Sequence, residues 1–288
     1  MNIKKITGLL LGSYLLLGGL ATAAAEEPPP PPKVLTIARE FVKPGRSGAL
    51  HEKAESAFVQ AMARAKWPTH YLAVTALTGK PRVLFLTGYD SFEAWEKDQK
   101  ATQANATLSA ALDRAAVADG DLLSDIDASA LVFREEYSLR SHIDIPHMRY
   151  FDIALYRVRP GHEADWDTIV KMVKAAYEKI PDVSFATFFA VYGQEGSTYV
   201  VFSPMKSASE IDKGFDQDKQ FMTNMGEDGM KKFNELLAGA IEFSQHNLFS
   251  FTPSMSYPSD EWIKADPGFW KPKTNAAAPK KAEEKPAQ

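Results

Sequence analysis

Cysteine is absent from all 288 residues. That gap excludes disulfides, cysteine-ligated zinc, iron–sulfur clusters, a thiol nucleophile and an acylated N-terminal cysteine. A basic excess is missing too: 33 Lys and Arg face 37 Asp and Glu, a net charge of −4 that argues against nucleic-acid binding. Beyond the N-terminus no apolar run reaches the ~18–20 residues of a membrane-spanning helix. There is also no nucleophile elbow, no phosphate-binding glycine loop and no HExxH pair. What remains is 45% hydrophobic and 24% charged, a composition that buries a core rather than staying disordered.

The two ends differ from the middle. Lys4 and Lys5 precede the apolar run Ile6 to Leu20, and Ala21-Thr22-Ala23 and Ala23-Ala24-Ala25 offer small-residue cleavage sites before Glu26. This is the pattern of a signal peptide over residues 1–25, so the expected location is exported, periplasmic or extracellular. Residues 26–33 form a proline-rich spacer in which Pro28 through Pro32 favour polyproline II. Residues 258–288 are expected to be an extended or disordered tail, rich in Pro, Ala, Lys and Glu from Lys271 onward.

An internal repeat organises what lies between. Ile37, Ala38, Val42, Pro44 and Gly45 recur as Ile153, Ala154, Val158, Pro160 and Gly161. Each copy reads as a strand stopped by a Pro-Gly turn. An amphipathic helix follows in each, carrying Leu50, Ala54, Ala57, Phe58 and Ala61 in one and Trp166, Ile169, Val170, Val173 and Tyr177 in the other. Hairpins come next, His70–Leu77 with Arg82–Tyr89, and Val183–Tyr192 with Ser197–Phe202. A second helix then leads to a last strand, Ala130–Leu139 or Leu248–Met255. The expected fold class is α+β: tandem ferredoxin-like β-α-β-β-α-β repeats over residues 34–140 and 148–257, joined by a linker at 141–147. Each repeat leaves one sheet face bare, so the two sheets are expected to pack against each other as an intrachain α/β barrel.

The strand ending in Pro-Gly, the hairpin and the stretch Leu86-Thr87-Gly88-Tyr89-Asp90-Ser91-Phe92-Glu93-Ala94-Trp95 resemble the dimeric α/β-barrel superfamily. The resemblance is to its antibiotic-biosynthesis monooxygenase-like and NIPSNAP-like families, here in tandem duplicate. It implies cofactor-free oxygenases, haem enzymes or members without chemistry as precedents. The haem-degrading branch uses a first-strand Asn, a Trp on the second helix and a His some ten residues later. Trp95 matches the Trp, but the other two positions fall near Ala38 and on Asn105, and the second repeat has Ile211 for the Trp. No cofactor is therefore expected, and haem is disfavoured.

Several side chains stand out as candidates. Arg39 and Glu40 on the first strand and Arg134, Glu135 and Glu136 on the fourth suggest either a polar cavity lining, with Glu135 a general base, or a structural ion pair. Arg39 is expected to face the sheet interface and to pair with Glu135 or Glu136. Tyr156, Phe188 and Tyr199 belong to an aromatic-rich second repeat that would suit a flat ligand, though the same residues would serve as plain core. His70 opens a strand, and Trp95, His70 and Glu135 are the catalytic candidates. His246, placed at a helix end, and His70 could each ligate haem. His142, Asp144 and His147 are metal-capable but lie in the linker, so no metal site is expected. Met222, Met225 and Met230 share a helical stripe with Phe221 and Phe233 and read as core.

The sequence thus points to an exported α/β barrel that binds a small hydrophobic or aromatic molecule. One alternative is a cofactor-independent monooxygenase acting on an aromatic substrate. The other is a non-catalytic envelope interaction module. Either a monomer or a homodimer fits, without nucleic acid and without a membrane span after signal cleavage.

Overall fold

The computed structural model describes residues 27–271; the expected signal peptide and residues 272–288 lie outside the described part. The first unit runs β1 (Val34–Val42), α1 (Ala49–Ala65), β2 (Tyr71–Ala76), β3 (Arg82–Tyr89), α2 (Phe92–Ala104), α3 (Ala106–Gly120) and β4 (Leu123–Phe133). The second runs β5 (Tyr150–Val158), α4 (Glu163–Tyr177), β6 (Ala186–Tyr192), β7 (Ser197–Met205), α5 (Ser209–Ala240) and β8 (Ile241–Phe251). Their sheets have the same order, β4-β1-β3-β2 and β8-β5-β7-β6. The α+β class and the barrel of ferredoxin-like units are therefore as the sequence suggests.

The two sheets also join at their edges. Val74 of β2 pairs with Phe251 of β8, and Leu131 of β4 pairs with Ala190 of β6. The result is one closed, antiparallel eight-stranded barrel that leaves no strand edge unpaired. Strand alternation sorts the side chains. Leu35, Ile37, Val74, Leu84, Leu131, Ile153, Val200, Phe202 and Phe249 point inward and fill the centre. Tyr199 points outward and packs with Val158, Trp166 and Ile169 beneath α4 and α5. Gly193, at φ 77° in the β6–β7 turn, is where the chain crosses β4: a Cβ there would stand 2.0 Å from the carbonyl oxygen of Ala128.

Four expectations need correcting. First, β4 covers 123–133 rather than 130–139, and Glu135–Tyr137 form a 3-10 turn, so Arg134, Glu135 and Glu136 are not strand residues. Second, β8 begins at Ile241, which puts His246 on a strand and not at a helix end. Near their starts both strands carry solvent-facing polar residues (Ser124, Asp125, Glu242, Ser244, Gln245), and the apolar residues among them, Ile126 and Phe243, are exposed as well, so no buried face marks these ends. Third, Leu50 of α1 faces solvent, and the face toward the sheet carries His51 and Glu55 instead.

The fourth correction concerns the C-terminal segment. Residues 258–271 are not a featureless tail but include α6 (Asp260–Ala265) and α7 (Pro267–Trp270). Ser259 and Asp266 cap these helices by accepting bonds from the Trp262 and Phe269 amides. Trp270 is 1% exposed and packs against Phe251, Trp262 and Phe269 in the main core. Its indole Nε1 donates to the Pro146 carbonyl at 2.8 Å, tying the segment to the link between the two units.

Candidate functional site

A cavity of about 660 Å³ opens at the end of the barrel where β1 begins. Its floor is apolar: Leu35, Leu72, Leu86, Phe151, Phe188 and Phe202 are inward-facing strand residues. Trp262 from α6, Ile143 and Ile145 from the link, and Pro29 through Pro32 form its roof. Gly88 lets the proline segment approach, since a Cβ at that position would stand 2.8 Å from a Pro32 side-chain carbon. The volume and the mixture of apolar walls with a few polar groups suit a small organic ligand.

Polar groups gather on one side of this mouth. His70 stacks on Tyr257 at 4.7 Å between centroids, and its Nδ1 is buried with no hydrogen-bond partner. Nearby, Asp98 of α2 accepts hydrogen bonds from Trp67 Nε1 at 2.9 Å, Thr69 Oγ1 at 2.6 Å and Tyr89 Oη at 3.0 Å. These bonds clamp α2 and the approach to β2 against the barrel, so His70 sits on a fixed platform. Burial and the Asp98 carboxylate hold the Tyr89 phenol protonated, well above its ordinary range.

The other sequence candidates are dispersed. Phe188 and His70 line the cavity. Arg39 also faces inward, but toward the opposite end, and its carboxylate partner is Asp127, with Nε donating to Oδ1 at 2.8 Å. The expected pairing with Glu135 or Glu136 fails because both leave the strand; Arg134 bonds Glu136 at 2.7 Å and Glu135 is exposed. Trp95 is half-buried beside Phe92 on α2, outside the cavity lining. Asn105, where the resemblance would place a His, caps α3 by accepting from the Leu108 amide.

Tyr156 and Tyr199 lie outside the barrel wall. Tyr156, Trp166, Tyr177 and His246 border a smaller cavity of about 290 Å³ beneath α4 and α5. Tyr156 Oη and His246 Nε2 are hydrogen-bonded at 3.0 Å, and the Asp152 carboxylate stands 3.8 Å from Nδ1. Asp152 holds the imidazolium in place and raises its pKa above the ordinary 6.5. With its Nε2 bonded to Tyr156 and the adjoining cavity only about 290 Å³, His246 is not set as an axial haem ligand.

Glu40 points away from the barrel interior, under α1, where it meets His51, Glu55 and Asp119. All four are buried, and their donor atoms lie within 4.8 Å of one another. It is the one such group among the described residues. His142, Asp144 and His147 do not converge: His147 pairs with Asp144 at 2.6 Å while His142 turns to Glu27. The signal for the Glu40 group was a His and a Glu one helical turn apart on the sheet-facing stripe of α1, where apolar residues belong.

No helix among the described residues is long and apolar enough to cross a membrane. No family model matches the chain, and no curated protein matches it. Among solved structures it is similar to an anthrone oxidase-like protein at 14% identity and a TM-score of 0.48, covering 79% of this chain and 94% of that one. It is similar to a candidate monooxygenase from Fusobacterium nucleatum at 10% identity and a TM-score of 0.49, covering 77% and 93%. A mutant chlorite dismutase from Candidatus Nitrospira defluvii aligns at 8% identity and a TM-score of 0.46, covering 81% and 95%.

Proposed function

We propose that this chain is an exported protein that binds a small hydrophobic or aromatic molecule in the barrel mouth. The observation that carries the reading is the roofed, 660 Å³ cavity walled by Phe151, Phe188 and Phe202. Aromatic walls offer a flat ligand edge-to-face and offset contacts, and the rim groups fix the orientation of any polar substituent. The N-terminal residues 1–25 act as the signal for export, and the two units arise from a duplicated sequence, as the repeated Pro-Gly strands suggest. The test is native mass spectrometry with absorbance spectra on protein purified from its own host. Retained small-molecule mass, lost on mild denaturation, supports the reading; protein that is always bare and takes up no aromatic probe overturns it.

One observation favours a second reading, a cofactor-independent oxygenase. His70 lines the apolar chamber and its Nδ1 is buried without a partner, so a turn of the ring would offer that nitrogen to the proton of a bound phenol or enol. The resulting electron-rich anion would be the species that meets dioxygen. Oxygen uptake with phenolic substrates, abolished in His70→Ala but with ligand binding retained, separates this reading from binding alone.

A further inference from the structure

We propose that Glu40, His51, Glu55 and Asp119 form a binding site for one divalent first-row metal ion, Mn2+ or Zn2+, that clamps α1 and α3 onto the barrel. The residues come from three elements: Glu40 from β1, His51 and Glu55 from adjacent turns of α1, and Asp119 from the last turn of α3. Their side chains are between 2% and 9% exposed. Three carboxylates thus converge on a single imidazole with almost no water to solvate them.

Hydrogen bonding alone does not satisfy this group. His51 Nε2 stands 3.1 Å from Glu40 Oε2, 3.3 Å from Asp119 Oδ1 and 4.0 Å from Glu55 Oε1. One N–H can serve one of these oxygens, and Glu40 takes it. Glu55 Oε1 and Asp119 Oδ1 are left buried and without a donor, both aimed into the same space. The Tyr71 hydroxyl next to them is also buried and unpartnered, with Glu55 and Glu40 its nearest charges. Burial of unpaired carboxylate oxygens costs several kcal/mol unless a cation or a proton compensates.

A metal ion answers each of these features. Donors around a tetrahedral ion at ~2.1 Å stand about 3.4 Å apart, and those opposite each other across a six-coordinate ion about 4.2 Å, so a four-atom group within 4.8 Å closes on an ion with side-chain shifts of about 1 Å. One nitrogen with three hard oxygens suits Mn2+ or Zn2+ better than a thiophilic ion. His51 then offers the Nε2 lone pair and carries its proton on Nδ1. The unpartnered Tyr71 hydroxyl beside Glu55 is the candidate for the outer-shell support that metal sites use, once the carboxylates shift toward an ion. Because nothing in the group opens to solvent, the ion's role is structural, and its binding free energy adds to folding.

The competing occupant is a proton. Burial, then the Glu40 and Asp119 charges, push Glu55 up to about 9, so a protonated Glu55 bonded to Asp119 is the state that a metal would replace. The experiment uses the full chain, stripped with EDTA and titrated with Mn2+ or Zn2+. Binding is read by calorimetry and Mn2+ electron paramagnetic resonance, and stability by thermal melts. The proposal expects one ion per chain and a melting temperature that rises by several degrees with metal and falls back with EDTA. It also expects Glu55→Gln and Asp119→Asn to weaken binding about tenfold or more and to lose the metal-induced shift. Wild type that binds neither ion at millimolar concentration, with Glu55→Gln as stable as or more stable than it, assigns the site to a shared proton and overturns the proposal.

Discussion

Replacing Trp270 by alanine tests whether the C-terminal segment is part of the barrel's fabric. A fully buried tryptophan removes up to ~250 Å² from water, and at ~25 cal/mol per Å² that is about 6 kcal/mol as an upper bound. Truncations of buried aromatics cost about 3–5 kcal/mol once partial collapse is allowed. The lost indole donor adds little, because the Pro146 carbonyl keeps a second bond from Arg149 at 3.2 Å. A loss of about 4 kcal/mol is therefore expected, or a fall of roughly 8–16 °C in melting temperature at 2–4 °C per kcal/mol for a chain of this size. Urea unfolding followed by far-ultraviolet circular dichroism measures it. A change below about 1 kcal/mol would mean that α6 and α7 do not stop the barrel, and the roof of the cavity would have to be rebuilt on other residues.

Other consequences follow from single contacts. His246 has its pKa raised by Asp152, so it contributes stability that is fully present below about pH 6.5 and is lost as pH rises through the folded-state value. Asp152→Asn should lower that pKa in an NMR titration; an unchanged value would refute the pairing. Gly88→Val should drive Pro32 off the barrel, and because the chain has no cysteine, a spin label on Glu27→Cys reports it directly as increased mobility. The Arg39–Asp127 pair is about one-third exposed, so a double-mutant cycle should give about 0.2–1 kcal/mol and no effect on ligand binding. A coupling above ~2 kcal/mol would show that this end of the barrel is drier than its geometry implies.

The units and their strand order could be read from the repeated Ile-Ala and Pro-Gly positions, because an inward strand residue and a turn each leave a local signature. Ring closure could not be read in this way. The β2–β8 and β4–β6 pairings join residues far apart in the chain, and no local pattern at Val74 or Leu131 marks them. The aromatic lining was only half legible. Phe188 and Phe202 stand an odd number of positions from Phe189 and Tyr199 on their strands, which sends the first pair into the cavity and the second under α4. Glu40 was visible as an odd charge on β1, but its partners lie on α1 and α3, and only the packing of these helices brings His51, Glu55 and Asp119 to it.

The central claim is that the barrel mouth holds an aromatic ligand. Its most direct test replaces Ala186, a small buried residue of the cavity floor, with tryptophan, and compares binding of a naphthalene-type fluorescent probe with wild type. The account expects one probe per wild-type chain and at least about a tenfold loss of affinity in Ala186→Trp, since the added indole occupies the ligand's volume. Equal affinity in the two proteins, with the variant still folded, would contradict it.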